Sequence, residues 1–330
     1  MCPTDSPVKH PDKFIWTRKR APPISEASTE ETPMTAPNRT FLFAPGDHAR
    51  RAEKVLTAGA DACILDLEDA VAISAKIAAR ALVNAALDRP RTCRGFVRVN
   101  AFDTEFCAGD IEAVVGPRLD GMVLPKLEDP AQLIAVDWLM RSLERARGLP
   151  ERGIEIMPII ETARGMAGLG ALAACAAGLG GRVKRLSFGA GDYTLDLGIT
   201  WDLAETVLEP ARSQMVIQSR AAGLEAPIDT VWIELREMGG FQASCARGVA
   251  LGFQGKLCIH PDQVPVTNGA YSPAEAEVAR SQRIIAAFAE AQAQGLASIQ
   301  VEGRFVDYPI VDRAQRIVAL AERIALIPRA

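Results

Sequence analysis

The sequence predicts an α/β chain folded as a (β/α)8 barrel, a TIM barrel, with a C-terminal lid extension. Three features carry that expectation. Eight short, continuous apolar runs recur, at 40–44, 62–66, 95–99, 121–124, 155–160, 185–188, 230–234 and 256–259, as strands buried on both faces of a parallel sheet require. Amphipathic, alanine-rich segments alternate with them, among them 75–87, 130–147, 203–222 and 240–251, and eight βα units in one chain of this size point to a closed barrel. A doubly wound sheet would normally place a glycine-rich phosphate turn after its first strand, whereas Ala44-Pro-Gly-Asp-His48 is not G-x-G-x-x-G.

Taken in order, residues 1–38 are rich in Pro, Thr, Ser, Lys and Glu and have no apolar period, so they are expected to be a disordered tail. They contain no h-region of a secretory signal, and the acidic Ser28-Thr-Glu-Glu-Thr32 argues against a transit peptide. Met34 is a candidate start, because organised sequence begins at Arg39. The barrel is assigned to 39–271 and the C-terminal helix and lid segment to 272–330. Within the latter, 272–294 reads as a long helix, 295–307 carries short β-like pieces, and 310–327 is an amphipathic helix. Its apolar face would hold Ile310, Ala314, Ile317, Val318, Ala321, Ile324 and Ala325. That stripe needs cover, from its own barrel or from a neighbour.

Bulk properties narrow the function. Of 330 residues, 48% are hydrophobic, enough for a substantial core. A net charge of −4 gives no reason to expect nucleic acid or an acidic membrane as partner. No apolar run is long enough to span a bilayer. The seven cysteines are scattered without a C-x-x-C spacing, and Cys63 and Cys258 sit inside apolar runs. They read as small core residues in a reducing, cytoplasmic setting. Three histidines are too few for a conventional zinc box.

The chemistry-capable side chains gather at the strand ends. The run through Ile154-Glu-Ile-Met-Pro-Ile-Ile-Glu161 ends in a carboxylate, and Leu186-Ser-Phe-Gly-Ala-Gly-Asp192 ends in another. Two acids on neighbouring strand ends make a hard-oxygen pair suited to Mg²⁺. Around them the other strands deliver Pro45 to His48, Asp66-Leu-Glu-Asp69, Arg98 and Asn100, Pro125-Lys126, and His260, all on the C-terminal face where barrel enzymes keep their active sites. Each has a plainer role open to it. Asp69 is read as capping the next helix and pairing with Lys76. Arg98 serves either chemistry or an ion pair with Glu68 or Glu161. Lys126 is read as a loop salt bridge, and His260 as a helix cap or backbone partner. Asp192, on its bare Gly-Ala-Gly turn, has no neighbour in sequence to pair with.

The motifs Arg39-Thr-Phe-Leu-Phe-Ala-Pro-Gly-Asp47, Ile64-Leu-Asp-Leu-Glu-Asp-Ala-Val71, Val97-Arg-Val-Asn100, Leu124-Pro-Lys126, Ile160-Glu-Thr162, Ser187-Phe-Gly-Ala-Gly-Asp192, Lys256-Leu-Cys-Ile-His-Pro261 and Val306-Asp-Tyr-Pro309 together resemble the citrate lyase beta-subunit family, which includes malyl-CoA and citramalyl-CoA lyases. The resemblance runs from Arg39 to the C-terminus. It implies a barrel that assembles as a homotrimer or a dimer of trimers (a hexamer) and breaks or forms a C–C bond beside a CoA thioester, yielding acetyl-CoA and a 2-oxo acid. By position, Glu161 and Asp192 resemble the Mg²⁺ ligands. Arg98 resembles the arginine that binds the oxo acid, and Asp66 and Glu68 the acidic pair near the metal's water shell. Asp307 resembles the acid/base of a lid that closes over the adjacent subunit. Lys54 matches a basic residue on the CoA phosphates, and Phe41 and Pro45 belong to the first substrate-binding motif. His48 stands where many members carry arginine, and Gly191 where a glutamate is common. Two other activities are compatible with such a sequence: malyl-CoA thioester hydrolysis, and the beta-subunit role in a citrate lyase complex with an acyl-carrier partner.

Overall fold

The computed structural model describes residues 38–325. The expected tail, apart from Asn38, and residues 326–330 lie outside that span. Eight parallel strands close into a barrel in sequence order: β1 (Thr40–Pro45), β2 (Ala62–Asp66), β3 (Arg94–Arg98), β4 (Gly121–Leu124), β5 (Glu155–Ile160), β6 (Ser187–Phe188), β7 (Ile228–Asp229) and β8 (Gly255–Cys258). β8 returns to pair with β1. The helices of the outer layer are α1 (Ala49–Val55), α2 (Lys76–Leu87), α3 (Cys107–Val114), α4 (Pro130–Ala146), α5 (Ala163–Ala167), α6 (Leu169–Gly178), α7 (Ala190–Leu197), α8 (Glu209–Ala221), α9 (Met238–Leu251) and α10 (Gln263–Ala270). No described helix is long and apolar enough to cross a membrane.

Side chains alternate across each strand, and the alternation separates two cores. Phe41, Ile64, Phe96, Val123, Met157, Ile159, Ile228 and Leu257 fill the barrel interior. Leu42, Leu65, Val97, Met122 and Ile156 face the helices. Inside, Phe41 meets Phe96 edge-on, with centroids 5.4 Å apart. Gly121 makes room for that pair: a Cβ there would lie 2.1 Å from the Phe96 ring. Cys63 and Cys258 are fully buried in the outer layer, as apolar residues of that size should be.

α4 shows how local sequence sets an element. Asp129 accepts from the Ala131 amide and closes a capping box with Gln132, and Pro130 occupies the first turn. Elsewhere the boundaries move. β7 is Ile228–Asp229, not 230–234, because Trp232 leaves the sheet and packs on Phe241, 6.4 Å between ring centroids. The expected helix at 203–222 begins only at Glu209, after a 3₁₀ turn over Thr206–Leu208. Asn38, assigned to the tail, is buried and donates to Glu225 and Gln254.

The C-terminal segment is α11 (Glu275–Ala293), the hairpin β9 (Ile299–Val301) and β10 (Arg304–Val306), and α12 (Tyr308–Ala325). It has its own small core of Ile284, Phe288, Val306, Val311 and Ala314. Ile310, expected on the buried face of α12, is instead 40% exposed, and Val311 takes that place. Phe305 and Tyr308 also remain open to solvent.

Candidate active site

Strand register assembles the site. Asp66 stands opposite Arg98 in the β2–β3 pairing, and Pro45 opposite Asp66 in the β1–β2 pairing. Residues 64 and 66 share a face, as do 96 and 98, so the interior stack ends in an acid and a base at the C-terminal mouth. The two form a forked pair: Arg98 Nε donates to Asp66 Oδ1 at 2.7 Å and Nη2 to Oδ2 at 2.6 Å. Asp66 also accepts from the amides of Glu68 and Ala70. Its lone pairs are thereby committed to holding Arg98 and the loop. Burial alone would raise the Asp66 carboxyl, but Arg98 outweighs it and holds the group below its ordinary range.

A second cation, Lys126, gathers the remaining acids. Its backbone sits in the left-handed region, at φ 50°, and its amide donates to Glu161 Oε1 at 2.8 Å. Its Nζ reaches Glu68 Oε1 at 2.6 Å and Asp192 Oδ2 at 2.9 Å. Asp192 therefore does find a partner, supplied from the end of β4 and invisible from its own turn. Glu68 Oε2 lies 2.9 Å from Arg98 Nη1, an ion contact without hydrogen-bond alignment. Asp69 points to this cluster too, 3.6 Å from Arg98 and 3.7 Å from Lys126. It does not pair with Lys76, whose Nζ donates to the Leu67 and Glu68 carbonyls. Asp196 accepts from the Ala163 amide at the start of α5, and His260 accepts from the Asp262 amide.

Glu161 is the most perturbed acid of the group. It continues the inward face of β5 two positions beyond Ile159 and is buried at 4% exposure. Its pKa is pushed up to about 8, chiefly by burial and further by Glu68 and Asp192, against the opposing pull of Arg98 and Lys126. Gly189 lies directly behind it: a Cβ on Gly189 would fall 2.3 Å from Glu161 Oε2. Glu161 and Asp192 thus share one rim and one partner, Lys126.

These residues fit a hard divalent ion. The donors are all oxygens. The carboxylates of Asp66, Glu68, Asp69, Glu161 and Asp192 face only two cations, Arg98 and Lys126, so the mouth holds more acid than base, and a divalent cation would complement it. Among the described residues no three His, Cys, Asp or Glu side chains converge as a closed cage. An open pair is the pattern Mg²⁺ tolerates, since it retains waters and takes one or two carboxylates.

Other sequence candidates are placed differently. Phe41 is a correction: it is sealed in the barrel interior near the foot, where Arg94 lies over its ring at 5.6 Å, and no substrate reaches it. The aromatic that serves the mouth is Phe43, two positions nearer the strand end, with the Arg98 guanidinium 4.9 Å from its ring centroid. The period of two would have identified it. Pro45 is half-buried at the rim and Lys54 is exposed in the last turn of α1. Asp307, partly buried at the start of α12, offers its carbonyl to the Ile310 and Val311 amides and has no ion pair with the mouth cluster of its own chain. A cavity of about 480 Å³ adjoins the loop after β7, and one of about 360 Å³ lies at the opposite end of the barrel; neither is lined by Glu161 or Asp192.

Fold and mouth together define a (β/α)8-barrel enzyme with an acidic, arginine-bearing centre. The chain belongs to the HpcH/HpaI aldolase/citrate lyase family, which matches residues 39–261, and is a carbon–carbon lyase of that family. It is 35% identical to the citrate lyase subunit beta of Leuconostoc mesenteroides subsp. cremoris, over 88% of this chain and 95% of the relative. Two proteins of Cereibacter sphaeroides are similar at nearly the same level. A (3S)-malyl-CoA thioesterase is 34% identical over 88% of this chain and 96% of its own. An L-malyl-CoA/beta-methylmalyl-CoA lyase is 32% identical over 90% and 98%. Among solved structures, the CitE protein of Mycobacterium tuberculosis in complex with magnesium, acetoacetate and coenzyme A superimposes with a TM-score of 0.70 at 29% identity, covering 87% of this chain and 99% of that one.

Proposed function

We propose that the protein is a Mg²⁺-dependent lyase that cleaves, or forms, a 3-hydroxyacyl-CoA such as malyl-CoA or citramalyl-CoA, giving acetyl-CoA and a 2-oxo acid. The observation that carries this reading is the convergence of Glu161, Asp192 and the Asp66-held Arg98 on one barrel mouth, where acids outnumber the two cations. Glu161 and Asp192 would hold Mg²⁺, which when bound supplies Lewis acidity to the oxygens of the oxo-acid fragment. Arg98 contributes fixed positive charge to the same fragment, and its forked bond to Asp66 means that it need not reorganise when charge develops. Asp66 is accordingly a positioning residue, and Glu68 shares that work by contacting both Arg98 and Lys126.

Cleavage breaks the bond between the carbinol carbon and the thioester's α-carbon: the carbinol hydroxyl gives up its proton to a carboxylate of the mouth as its oxygen becomes the oxo-acid carbonyl, and the α-carbon departs as an enolate that must be protonated. Asp307 is assigned that proton transfer. Its lack of an ion pair with its own mouth cluster, and the exposure of Phe305, Tyr308 and Ile310 around it, support a lid that closes on a neighbouring subunit in a homotrimer or hexamer. Closure would exclude water at the moment it supplies the acid. Lys54 and Pro45 are proposed contacts for the CoA moiety at the rim.

Thioester hydrolysis is the second reading, favoured by the thioesterase relative at similar identity. Incubation of purified protein with malyl-CoA and Mg²⁺ separates the two. Glyoxylate plus acetyl-CoA supports the lyase, whereas free malate plus CoA, without glyoxylate, assigns the hydrolase.

A further inference from the structure

The foot of the barrel, at the opposite end from the proposed chemistry, carries a second polar centre. A cavity of about 360 Å³ opens there between the starts of β3, β4 and β5 and the segment before β6, and Arg94, Arg152, Lys184, Asp120 and Glu155 line it. Parity explains the placement. Arg94 lies on the inward face four positions before Arg98, and Glu155 six before Glu161, so the strands that build the mouth also build the foot.

Its charges do not balance. Asp120 is used by Arg91, which donates to it at 2.9 Å, and by the Gly95 amide. Glu155 is in closest contact with the buried Arg185, yet it is also the acid that Arg94 and Lys184 approach, at 3.7 and 3.9 Å. Arg185 also reaches Glu225 at 2.9 Å, so three basic side chains share two carboxylates. Arg152 has only Asp137 at 3.5 Å, and Arg182 already binds that acid at 2.8 Å. The Nε–H groups of both Arg94 and Arg152 are buried without an acceptor. A buried donor left unsatisfied costs free energy that folded proteins rarely tolerate. Arg152 moreover holds φ at 58°, a conformation suited to glycine, and Gly153 follows it. Strain of this kind accumulates where a side chain is held for a ligand. Burial lowers the Arg94 pKa, against the opposing pull of Glu155.

We infer that this cavity binds a small polyvalent oxyanion, with Arg94, Arg152 and Lys184 as its ligands. A phosphate or a dicarboxylate supplies the missing acceptors and the missing negative charge together, and Arg presents its donors in the fork that such groups match.

The test uses the full-length protein and thermal unfolding in inorganic phosphate, succinate and chloride at matched ionic strength. Binding to the native state raises Tm saturably with ligand. The expected result is a rise with phosphate or succinate beyond that with chloride. The rise should be lost in Lys184→Gln, whose side chain is 40% exposed and whose replacement should leave fold and turnover intact, and in Arg152→Gln. Whichever anion acts identifies the chemistry of the natural ligand. Equal Tm in all three salts overturns the inference. So does an anion effect that survives in both variants, because that effect belongs to the basic groups at the mouth.

Discussion

Gly189 follows β6 immediately behind the carboxylate of Glu161, and its replacement by alanine tests how tightly the metal pair is positioned. The backbone there is extended, φ −115° and ψ 95°, which alanine adopts without strain. The only penalty is the new Cβ. It would fall 2.3 Å from Glu161 Oε2, 2.7 Å from Glu161 Cβ and 2.9 Å from Ile159 Cγ2. Ordinary contact between such atoms lies near ~3.5 Å, so Glu161 must retreat by about 1 Å. A displacement of that size in a reacting site costs on the order of 10²-fold in rate, and overpacking adds ~1–3 kcal/mol of destabilisation. Gly191→Ala is the matched control, because nothing lies within 4 Å of its Cβ position. Steady-state turnover of malyl-CoA against Mg²⁺ concentration, with calorimetric Mg²⁺ titration, should show weakened metal binding and a large loss of kcat for Gly189→Ala alone. Wild-type metal affinity and turnover in Gly189→Ala, or equal damage in Gly191→Ala, would refute the reasoning.

Two further outcomes are expected. Asp229 is fully buried between β7 and α8, bonded to Arg212 at 2.8 Å and Lys256 at 2.7 Å. Burial would raise its carboxyl, but those two cations hold it below the ordinary value. Its stabilisation is thus complete above its unfolded pKa of about 3.9 and fades as pH falls through the lower folded value. Urea unfolding at pH 7 should show Asp229→Ala less stable by about 3–5 kcal/mol, the cost of stranding buried charge, with the gap to wild type narrowing in acid; a gap under ~1 kcal/mol at pH 7 contradicts a buried cluster. Asp307→Asn should abolish C–C cleavage while leaving Mg²⁺ and CoA binding nearly intact, and mixed oligomers of Asp307→Asn with Arg98→Ala subunits should recover part of the activity. No recovery in demonstrably mixed oligomers would place the lid over its own chain.

The barrel was legible because buried parallel strands leave continuous apolar runs, and most of the helices between them keep one apolar face. The short strands were less so. β6 and β7 contribute two residues each, and of the apolar residues just after β7 only Trp232 is buried, while Ile233 and Leu235 are exposed. Position at the strand ends brought out Asp66, Arg98 and Glu161. The same position marks Lys126 as a loop salt bridge, which Lys126 makes, but not which acids it holds: its partners Glu68, Glu161 and Asp192 come from three other βα units. Nor could sequence show that Gly189 is small to make way for Glu161. The foot cluster stayed unread for a related reason, since Arg94, Arg152 and Lys184 are scattered in sequence and only barrel closure brings them to one cavity.

The most direct test of the metal pair is calorimetric titration of Mg²⁺ into the wild-type protein and into Glu161→Gln and Asp192→Asn, with folding of each checked by circular dichroism. One Mg²⁺ per chain should bind the wild type, and both variants should lose that binding together with turnover. Undiminished Mg²⁺ binding in either variant, or wild-type activity in the presence of excess chelator, would contradict it.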